Sequence, residues 1–310
     1  MSVYTRLDDD ELSSLLAEYD LRLEASKAAP HGIENSTWLI SARDQGGAPR
    51  PVVLTVFERF SEATLSPYLT LLTTLARGGL PVPAPLTDRA GHCMRQVAGK
   101  PAVLVPWLSG RHCFRPEAEH CRQVGAMLAA LHRQPADSAR ALPNERARLA
   151  DFAEHLCRLG DDDRHHARRL LRYWRKVPPG DAVIHGDLFR DNVLFNDSGR
   201  LTGVLDFYNA CLERPEYDLA VALNDWAVSA EGRPVPRREA ALLAGYRDAG
   251  GVYEAGVLEL ALVVAALRFW LSRLVGPVSG DAEGQGSKDP AEYSRIFGYR
   301  FEALSQRYEL

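Results

Sequence analysis

Short apolar runs separated by turn residues fill the first third of the chain. β-Branched and other apolar side chains dominate three runs that are predicted to be strands, residues 32–40, 51–60 and 101–108. Apolar residues three and four positions apart, the period of a helix, occur at residues 7–20 and 67–77. The pattern therefore predicts a small sheet with one long helix inserted between its strands.

The rest of the chain has mainly helical periodicity. Apolar side chains recur at helical spacing in five segments, residues 117–132, 146–158, 163–176, 237–249 and 255–275. Residues 182–207 interrupt them with two short apolar runs around the turn sequence NDSG, which predicts a β-hairpin. We predict a strand-rich lobe of residues 1–106 and a helical lobe of residues 107–310.

The strongest chemical signal lies in residues 183–195, which read VIHGDLFRDNVLF. Phosphoryl transfer from Mg²⁺-ATP needs one carboxylate at the attacking hydroxyl, and an amide oxygen with a second carboxylate at the metal. Asp187 is the candidate for the first role, and Asn192 and Asp206 for the second. Their order matches the kinase pattern H-x-D-x-x-x-x-N followed by D-F. The alternative is that Asp187 and Asp191 are turn residues and that Asn192 caps a strand.

Composition and charge indicate which binding partners and which cellular location to expect. The formal net charge of −4 gives no general field for nucleic acid or an anionic membrane, so neither is expected as a partner. The basic residues of 164–176 are interpreted as a solvated helix face. The first residues show no secretory pattern, and the most apolar stretch, residues 257–267, is too short to span a bilayer. Five cysteines without a C-x-x-C pair favour reduced thiols and a cytoplasmic location.

Seven segments together resemble one family of kinases: residues 32–36, 53–59, 78–83, 185–195, 205–211, 217–226 and 268–274. The chain resembles the aminoglycoside-phosphotransferase and choline-kinase superfamily, and within it the bacterial homoserine kinases that share this fold. The resemblance implies an α+β, two-lobed, protein-kinase-like fold with a small antiparallel N-lobe sheet and a mainly helical C-lobe. It implies ATP-dependent phosphorylation of the hydroxyl of L-homoserine with Mg²⁺, a step towards threonine.

The resemblance also places the nucleotide. Gly32, Asn35 and Ser36 belong to the turn that would cover the phosphates, where backbone N–H groups can face anions. Backbone groups near Val105 and Trp107 would meet adenine.

One departure from the general kinase pattern concerns the phosphate-binding cation. Kinases in general carry a lysine on the third strand, where this chain has Thr55. The homoserine kinases that the chain resembles also have threonine at this position. Arg59 and Arg190 are the alternative cations, and we expect Arg190, inside the catalytic loop, to take part in catalysis. For Arg59 the competing interpretation is an ordinary exposed arginine.

A pocket for homoserine needs an anion for the ammonium group and a cation or N–H donors for the carboxylate. Tyr208, Asn209, Asn224 and Asp225 lie on segments predicted to converge below the metal site. Arg268 lies on an otherwise apolar helix, where an unpaired charge is costly. Arg273 follows five positions later on the same helix, and we predict that one of the two arginines, with Arg268 the candidate, binds the substrate carboxylate. An internal salt bridge to Asp218 or Asp225 is the alternative.

Two other functions remain open from the sequence. One is a kinase for another small alcohol, such as choline, ethanolamine, methylthioribose or an aminoglycoside. The other is a catalytically inactive binding protein of the same fold. The only sequence feature that favours it is Thr55, which stands in place of the kinase lysine. The intact set of Asp187, Asn192 and Asp206 argues against inactivity.

Overall fold

The computed structural model describes residues 5–29, 35–275 and 289–307. Contacts between residues divide the chain into two compact units, and the division falls between Ser109 and Gly110. Residues 276–288 lie outside the described residues, and they include the Gly/Ser-rich segment 278–288, whose composition predicts a loop.

The first unit is a five-stranded antiparallel sheet with two helices. Its strands lie in the order β1-β2-β3-β5-β4. The elements are α1 (Asp9–Ala17), β1 (Leu21–Ala28), β2 (Ser36–Asp44), β3 (Val52–Val56), α2 (Glu62–Arg77), β4 (Arg95–Val97) and β5 (Lys100–Pro106).

Alternation along the strands gives the sheet two different faces. Leu12 and Leu16 of α1 pack into one buried cluster with Leu54 and Leu104 from the central strands. The capping box of Asp8 and Glu11 satisfies the first N–H groups of α1. The strand residues between those of the cluster therefore point to the opposite face, and Val53 and Thr55 are only partly buried there.

The second unit is mainly helical. Its helices are α3 (Ala118–His132), α4 (Glu145–Ala153), α5 (Asp161–Trp174), α6 (Pro215–Trp226), α7 (Pro236–Asp248), α8 (Ala255–Val275) and α9 (Pro290–Ser305). Two short antiparallel ribbons lie among them, β6 (Ala182–Ile184) paired with β9 (Cys211–Glu213), and β7 (Val193–Phe195) paired with β8 (Leu201–Val204). The predicted hairpin around the NDSG turn is the β7–β8 pair.

Helix α8 is the central helix of the second unit. By length and composition its 21 residues are sufficient to cross a membrane. Most of its apolar side chains are buried against α4, α5, α6 and α9, and its buried residues include Arg268. A buried core helix can have the same length and apolar composition as a membrane-spanning helix, and the neighbours of α8 are those of a core helix.

Candidate active site

The loop between β6 and β7 is anchored from below by one buried carboxylate. Asp218, on α6, accepts hydrogen bonds from the backbone N–H of His185 at 2.8 Å and of Gly186 at 2.9 Å. The Nε2 atom of His132 lies 3.1 Å from the same carboxylate. Burial raises the pKa of Asp218, but these hydrogen bonds and the nearby histidines outweigh it and hold the pKa below its ordinary value. Asp218 is therefore an ionised anchor of the loop.

The imidazole of His185 holds the loop from within. Its Nδ1 accepts the backbone N–H of Asp187 at 3.2 Å, and its Nε2 lies 2.8 Å from the carbonyl oxygen of Leu205. Both bonds form together only when Nδ1 is unprotonated and Nε2 carries the proton. The fully buried ring also packs on Phe207, with centroids 4.5 Å apart. His185 thus fixes the backbone of Asp187 and joins it to the strand end that carries Asp206.

Gly186 allows a second segment to approach this loop. Its φ of +75° lies in the left-handed region, and a Cβ atom there would lie 2.8 Å from the carbonyl oxygen of Asn209. Only glycine fits this combination of backbone angle and close approach. The approach brings Nδ2 of Asn209 to 3.4 Å from Oδ2 of Asp187.

Asp187 and Asn192 are joined by a hydrogen bond that orients the amide. Nδ2 of Asn192 donates to the backbone carbonyl of Asp187 at 2.8 Å. The amide nitrogen is therefore hydrogen-bonded within the loop, and Oδ1 is the side-chain atom that can ligate a metal. The backbone carbonyl of Asn192 accepts the N–H of Leu205 at 2.8 Å, which ties it to the segment that precedes Asp206.

Asp206 has an unusual backbone conformation at the end of β8. Its φ of 60° and ψ of 61° are left-handed, and its side chain is exposed. Non-glycine residues adopt this region at a cost, aspartate and asparagine among the most readily, and such strain concentrates at functional sites. The side chain of Phe207 is fully buried, so it anchors the strained residue from the C-terminal side.

Tyr208 follows this turn and is half-buried. Burial, with a smaller effect of the Asp206 carboxylate, raises the pKa of its phenol. The hydroxyl therefore stays protonated at neutral pH and can act as a hydrogen-bond donor.

Two predicted site residues, Arg190 and Asp225, bind each other. The Asp225 carboxylate accepts from the backbone N–H of Arg190 at 2.7 Å and from its Nε and Nη2 atoms at 3.1 Å. The remaining Nη1 of Arg190 donates to the carbonyl of Phe114 at 3.1 Å. The structure therefore uses this guanidinium to hold the loop between β6 and β7, and three of its five N–H donors are already bonded within the protein.

Asn224 is also committed within the second unit. Its Nδ2 donates to the carbonyl of Leu262 on α8 at 2.8 Å, and its Oδ1 accepts from Nε of Arg300 on α9 at 2.9 Å. The side chain is almost fully buried. Asn224 thus connects three helices, and the structure does not bring it together with Asp187.

Arg268 is buried on α8 beside a carboxylate that the sequence did not single out. Its Nε lies 3.5 Å from Oε1 of Glu145, so neither Asp218 nor Asp225 is its ion-pair partner. Glu145 in turn accepts from the Tyr217 hydroxyl at 2.8 Å and from Nη1 of Arg148 at 3.1 Å.

Arg148 connects this buried group to Asp187 through Asn209. Its Nη1 also donates to the carbonyl of Asn209 at 2.6 Å, and Asn209 contacts Asp187. A continuous chain of polar contacts therefore runs from Arg268 through Glu145 and Arg148 to the catalytic loop.

The first unit presents a partly apolar face on the side of the sheet away from α1. Leu39, Val53 and Val105 lie side by side on neighbouring strands and are all partly buried. The adjacent row holds Thr37 and Thr55. Trp107 is 43% exposed, and its backbone N–H donates to the carbonyl of Pro51 at 3.1 Å, so that donor is already occupied.

Two of the residues predicted to face the phosphates, Asn35 and Ser36, contact Glu58. The Ser36 hydroxyl is buried and donates to Glu58 at 2.5 Å, and the Asn35 side chain accepts the backbone N–H of Glu58 at 3.3 Å. Lys100 also binds the Glu58 carboxylate. Ser36 and Lys100 are on the α1 side of the sheet, opposite Thr55. Gly32 lies outside the described residues.

Residues 26–252 match the model of the phosphotransferase enzyme family. The chain belongs to this family.

Two curated relatives are homoserine kinases that match over nearly their full length. The homoserine kinase of Pseudomonas aeruginosa (strain UCBPP-PA14) is 39% identical, over 97% of this chain and 96% of that protein. The homoserine kinase of Agrobacterium fabrum is 35% identical, over 95% of this chain and 94% of that protein. The resemblance predicted from the seven segments is therefore confirmed.

Solved structures of phosphotransferases have the same fold. Spectinomycin phosphotransferase in complex with ADP and spectinomycin has a TM-score of 0.66 at 14% identity, and the match covers 99% of this chain and 100% of that one. Ethanolamine kinase from Plasmodium vivax has a TM-score of 0.59 at 12% identity, and the match covers 92% and 82%. The predicted α+β, protein-kinase-like fold is confirmed.

Three polar residues near the loop between β6 and β7 were not singled out by the sequence. Glu145, Arg148 and Tyr293 occur in helices without a recognisable motif. In the sequence, Glu145 and Arg148 are an acidic and a basic residue three positions apart, and the same spacing is common for ion pairs on exposed helix faces. Glu145 and Tyr293 are distinguished from surface residues only by their burial, and Arg148 only by its contact with Glu145.

Proposed function

We propose that this phosphotransferase transfers the γ-phosphoryl group of ATP to the side-chain hydroxyl of L-homoserine. The observation that carries the proposal is the similarity to homoserine kinases over 97% of the chain. The arrangement of Asp187, Asn192 and Asp206 supports phosphoryl transfer, and the buried Arg268 supports a substrate with an anionic group. A cytoplasmic location is proposed on the same ground, because homoserine kinases are enzymes of amino-acid biosynthesis.

Asp187 is the proposed catalytic base. It accepts the proton of the substrate hydroxyl while that oxygen bonds to the γ-phosphorus and the bond from phosphorus to the ADP oxygen breaks. Asn209 is placed to orient the carboxylate, because its Nδ2 lies 3.4 Å from Oδ2 of Asp187. Arg190 and Asp225 are proposed to position the loop, since the two side chains bind each other.

Asn192 and Asp206 are the proposed holders of Mg²⁺. The donor set fits this ion, because Mg²⁺ prefers oxygen ligands and keeps several waters, and the Nδ2 bond of Asn192 leaves its oxygen as the ligating atom. The left-handed backbone of Asp206, whose side chain is exposed, is consistent with a residue retained for a function. When bound, the ion offsets the negative charge of the ATP phosphates.

Replacing Asp206 by asparagine is expected to weaken binding of MgATP by more than about tenfold, because one anionic ligand is lost. Asparagine tolerates the left-handed backbone as aspartate does, so the fold is expected to be preserved. Calorimetry of ATP binding with and without Mg²⁺ measures the effect without relying on turnover. Equal Mg²⁺ dependence in the wild type and Asp206→Asn would exclude Asp206 as a ligand.

For the nucleotide, we propose that the face of Leu39, Val53 and Val105 covers adenine. These side chains are apolar, partly buried and on the side of the sheet away from α1. Thr55 lies in the next row of the same face, where a kinase lysine would stand. The chain is thus proposed to neutralise the phosphates mainly through Mg²⁺ and backbone N–H groups.

A substrate screen tests the proposed reaction. ADP release is measured with L-homoserine, choline, ethanolamine, methylthioribose and kanamycin, and Asp187→Asn serves as the control for contaminating kinases. Homoserine is expected to give the highest kcat/KM. Turnover of another alcohol with homoserine silent would overturn the proposal, and ATP binding without turnover of any compound would favour an inactive binding protein.

A further inference from the structure

Two buried polar groups near the catalytic loop lack hydrogen bonds. Among the described residues, neither the hydroxyl of Tyr293 nor the Nε atom of Arg268 has a hydrogen-bond partner, and the 3.5 Å ion-pair contact of Nε with Glu145 is not a hydrogen bond. Tyr293 is 1% exposed and Arg268 is 6% exposed. A buried polar group without a partner is costly, so each such group in a folded protein calls for an explanation.

The two groups are brought together by a shared aromatic contact. The guanidinium carbon of Arg268 lies 4.1 Å from the centre of the Phe269 ring, and the Tyr293 and Phe269 rings are 5.4 Å apart. Phe189 contacts both of these rings, at 4.6 Å from Phe269 and 6.2 Å from Tyr293. Because the backbone N–H of Phe189 donates to the carbonyl of Asp187 at 2.8 Å, the cluster adjoins the catalytic aspartate.

Electrostatics supports the same proximity. Burial lowers the pKa of Arg268, but nearby groups, with Glu145 the strongest and Asp187 and Tyr293 among them, raise it above its ordinary value. Burial raises the pKa of Tyr293 well above its ordinary value, and Asp187 contributes to this shift. Arg268 is therefore a fixed cation, and the Tyr293 hydroxyl is a neutral donor at physiological pH.

We propose that Tyr293 and Arg268 together bind the α-carboxylate of the substrate and that Tyr293 is a specificity-determining residue. This inference rests on the proposed function and deepens it. A carboxylate accepts hydrogen bonds from both an arginine and a phenol, so one ligand group satisfies both buried donors. Homoserine has a four-carbon chain, so its carboxylate lies close to the hydroxyl that reacts at Asp187.

The neighbouring side chains hold this pair in place. Arg273 stacks on the Tyr293 ring at 4.2 Å, and its guanidinium binds Glu292 at 2.6 Å. Arg268 lies 3.5 Å from Glu145, a contact that orients the guanidinium without a hydrogen bond at Nε. The phenol and the guanidinium are thus fixed before the substrate binds, which lowers the entropic cost of binding.

The test compares substrates that differ only in the carboxylate. 3-Aminopropan-1-ol is homoserine without its carboxylate, and 4-hydroxybutyrate keeps the carboxylate but lacks the ammonium group. In Tyr293→Phe, kcat/KM for homoserine is expected to fall about 10- to 100-fold, the effect of losing one hydrogen bond to a charged group. For 3-aminopropan-1-ol, kcat/KM is expected to change less than about threefold, because the lost contact is absent from that substrate. Arg268→Lys is expected to show the same selectivity.

Tyr299→Phe is the matched control. Tyr299 lies on the same helix, is only half-buried and has Arg233 stacked 4.7 Å from its ring. Its replacement is expected to leave both substrates unaffected. The melting temperature of Tyr293→Phe is expected to equal or exceed that of the wild type, because the change removes an unpartnered buried hydroxyl.

The outcomes separate this inference from the proposed function. Equal losses for homoserine and 3-aminopropan-1-ol in Tyr293→Phe would overturn the carboxylate site, as would unchanged homoserine kinetics. If homoserine were not a substrate, 4-hydroxybutyrate inhibition of whichever alcohol reacts would be measured instead. Inhibition weakened in Tyr293→Phe would support the site although the homoserine proposal had failed, and no inhibition in either protein would overturn it.

Discussion

Replacing Asp187 by asparagine is expected to lower kcat about 10²- to 10⁴-fold, the usual contribution of a positioned general base. Asparagine has the same shape, so the Asn192 and His185 bonds to the backbone of residue 187 are expected to remain. The amide cannot accept the hydroxyl proton, so the loss falls on the chemical step. Rates are measured with ADP-coupled detection at saturating ATP and alcohol.

ATP affinity provides the internal check on Asp187→Asn. Calorimetric binding of MgATP is expected to stay within about threefold of the wild type, because Asp187 acts on the acceptor alcohol. Asp197→Asn is a suitable control, since that carboxylate lies in an exposed turn with 88% of its side chain accessible. Retention of more than about a tenth of kcat by Asp187→Asn would exclude the proposed role.

Replacing Asp218 by asparagine is expected to lower the free energy of unfolding by about 3 kcal/mol, the scale for breaking a buried charged group from its partners. The carboxylate accepts two backbone N–H groups and faces His132. An amide supplies only one acceptor oxygen and directs N–H donors at another donor. Urea unfolding measures the loss, and kcat is expected to fall as well because the loop under Asp187 loses its anchor.

The pH dependence of this loss has a defined sign. The pKa of Asp218 is lower in the folded protein than in the unfolded chain, so its stabilisation is present above the ordinary carboxyl pKa of about 4. The stabilisation disappears as the pH falls through the lower folded pKa. The difference between wild type and Asp218→Asn is therefore expected to be constant from pH 7 to about pH 5 and to shrink below pH 4.

An exposed ion pair gives the comparison for Asp218. Asp248 pairs with Arg122 on the surface, with side chains 59% and 47% exposed. Asp248→Asn is expected to change the free energy of unfolding by less than about 1 kcal/mol, because solvent screens exposed pairs. A loss in Asp218→Asn no larger than in Asp248→Asn would show that the buried carboxylate is not the anchor.

The elements that the sequence predicted are those with a clear period. Helices α3, α7 and α8 follow the predicted segments closely, because each alternates buried and exposed positions or is uniformly apolar over many residues. Helix α2 begins at Glu62, five residues before the predicted start at Pro67. Ser61 caps it, and the proline is accommodated inside the helix.

Other elements carry weaker local signals and were not predicted. Helix α6 is buried almost all round, including Glu216 and Asp218, so no amphipathic period marks it. Strand β1 alternates partly buried and exposed residues at the sheet edge, and strand β9 has three residues. A strand that short gains its stability from the partner strand β6.

The loop between β6 and β7 is the part of the candidate site whose local geometry the sequence could predict. Asp187 and Asn192 lie within one short loop, and Asp206 follows the next strand. Their relative positions depend on local chain geometry and one hairpin, so spacing alone is informative.

The roles of the more distant polar residues depend on contacts between helices. Arg190 and Asp225 were assigned separately to catalysis and substrate, yet they bind each other. Asn224 was assigned to the substrate, yet it connects α8 and α9. A buried polar side chain must find a partner, but the sequence does not specify which of many candidates it meets.

The sequence by itself thus determined the kinase-like loop, its metal ligands as predictions and the family to which the chain belongs. Only the tertiary structure decided which polar groups are satisfied internally and which remain without a partner. Arg268 and Tyr293 come from separate helices, α8 and α9, and their proximity depends on packing around Phe269. The physical reason is that hydrogen-bond satisfaction is a property of the folded core, not of any local segment.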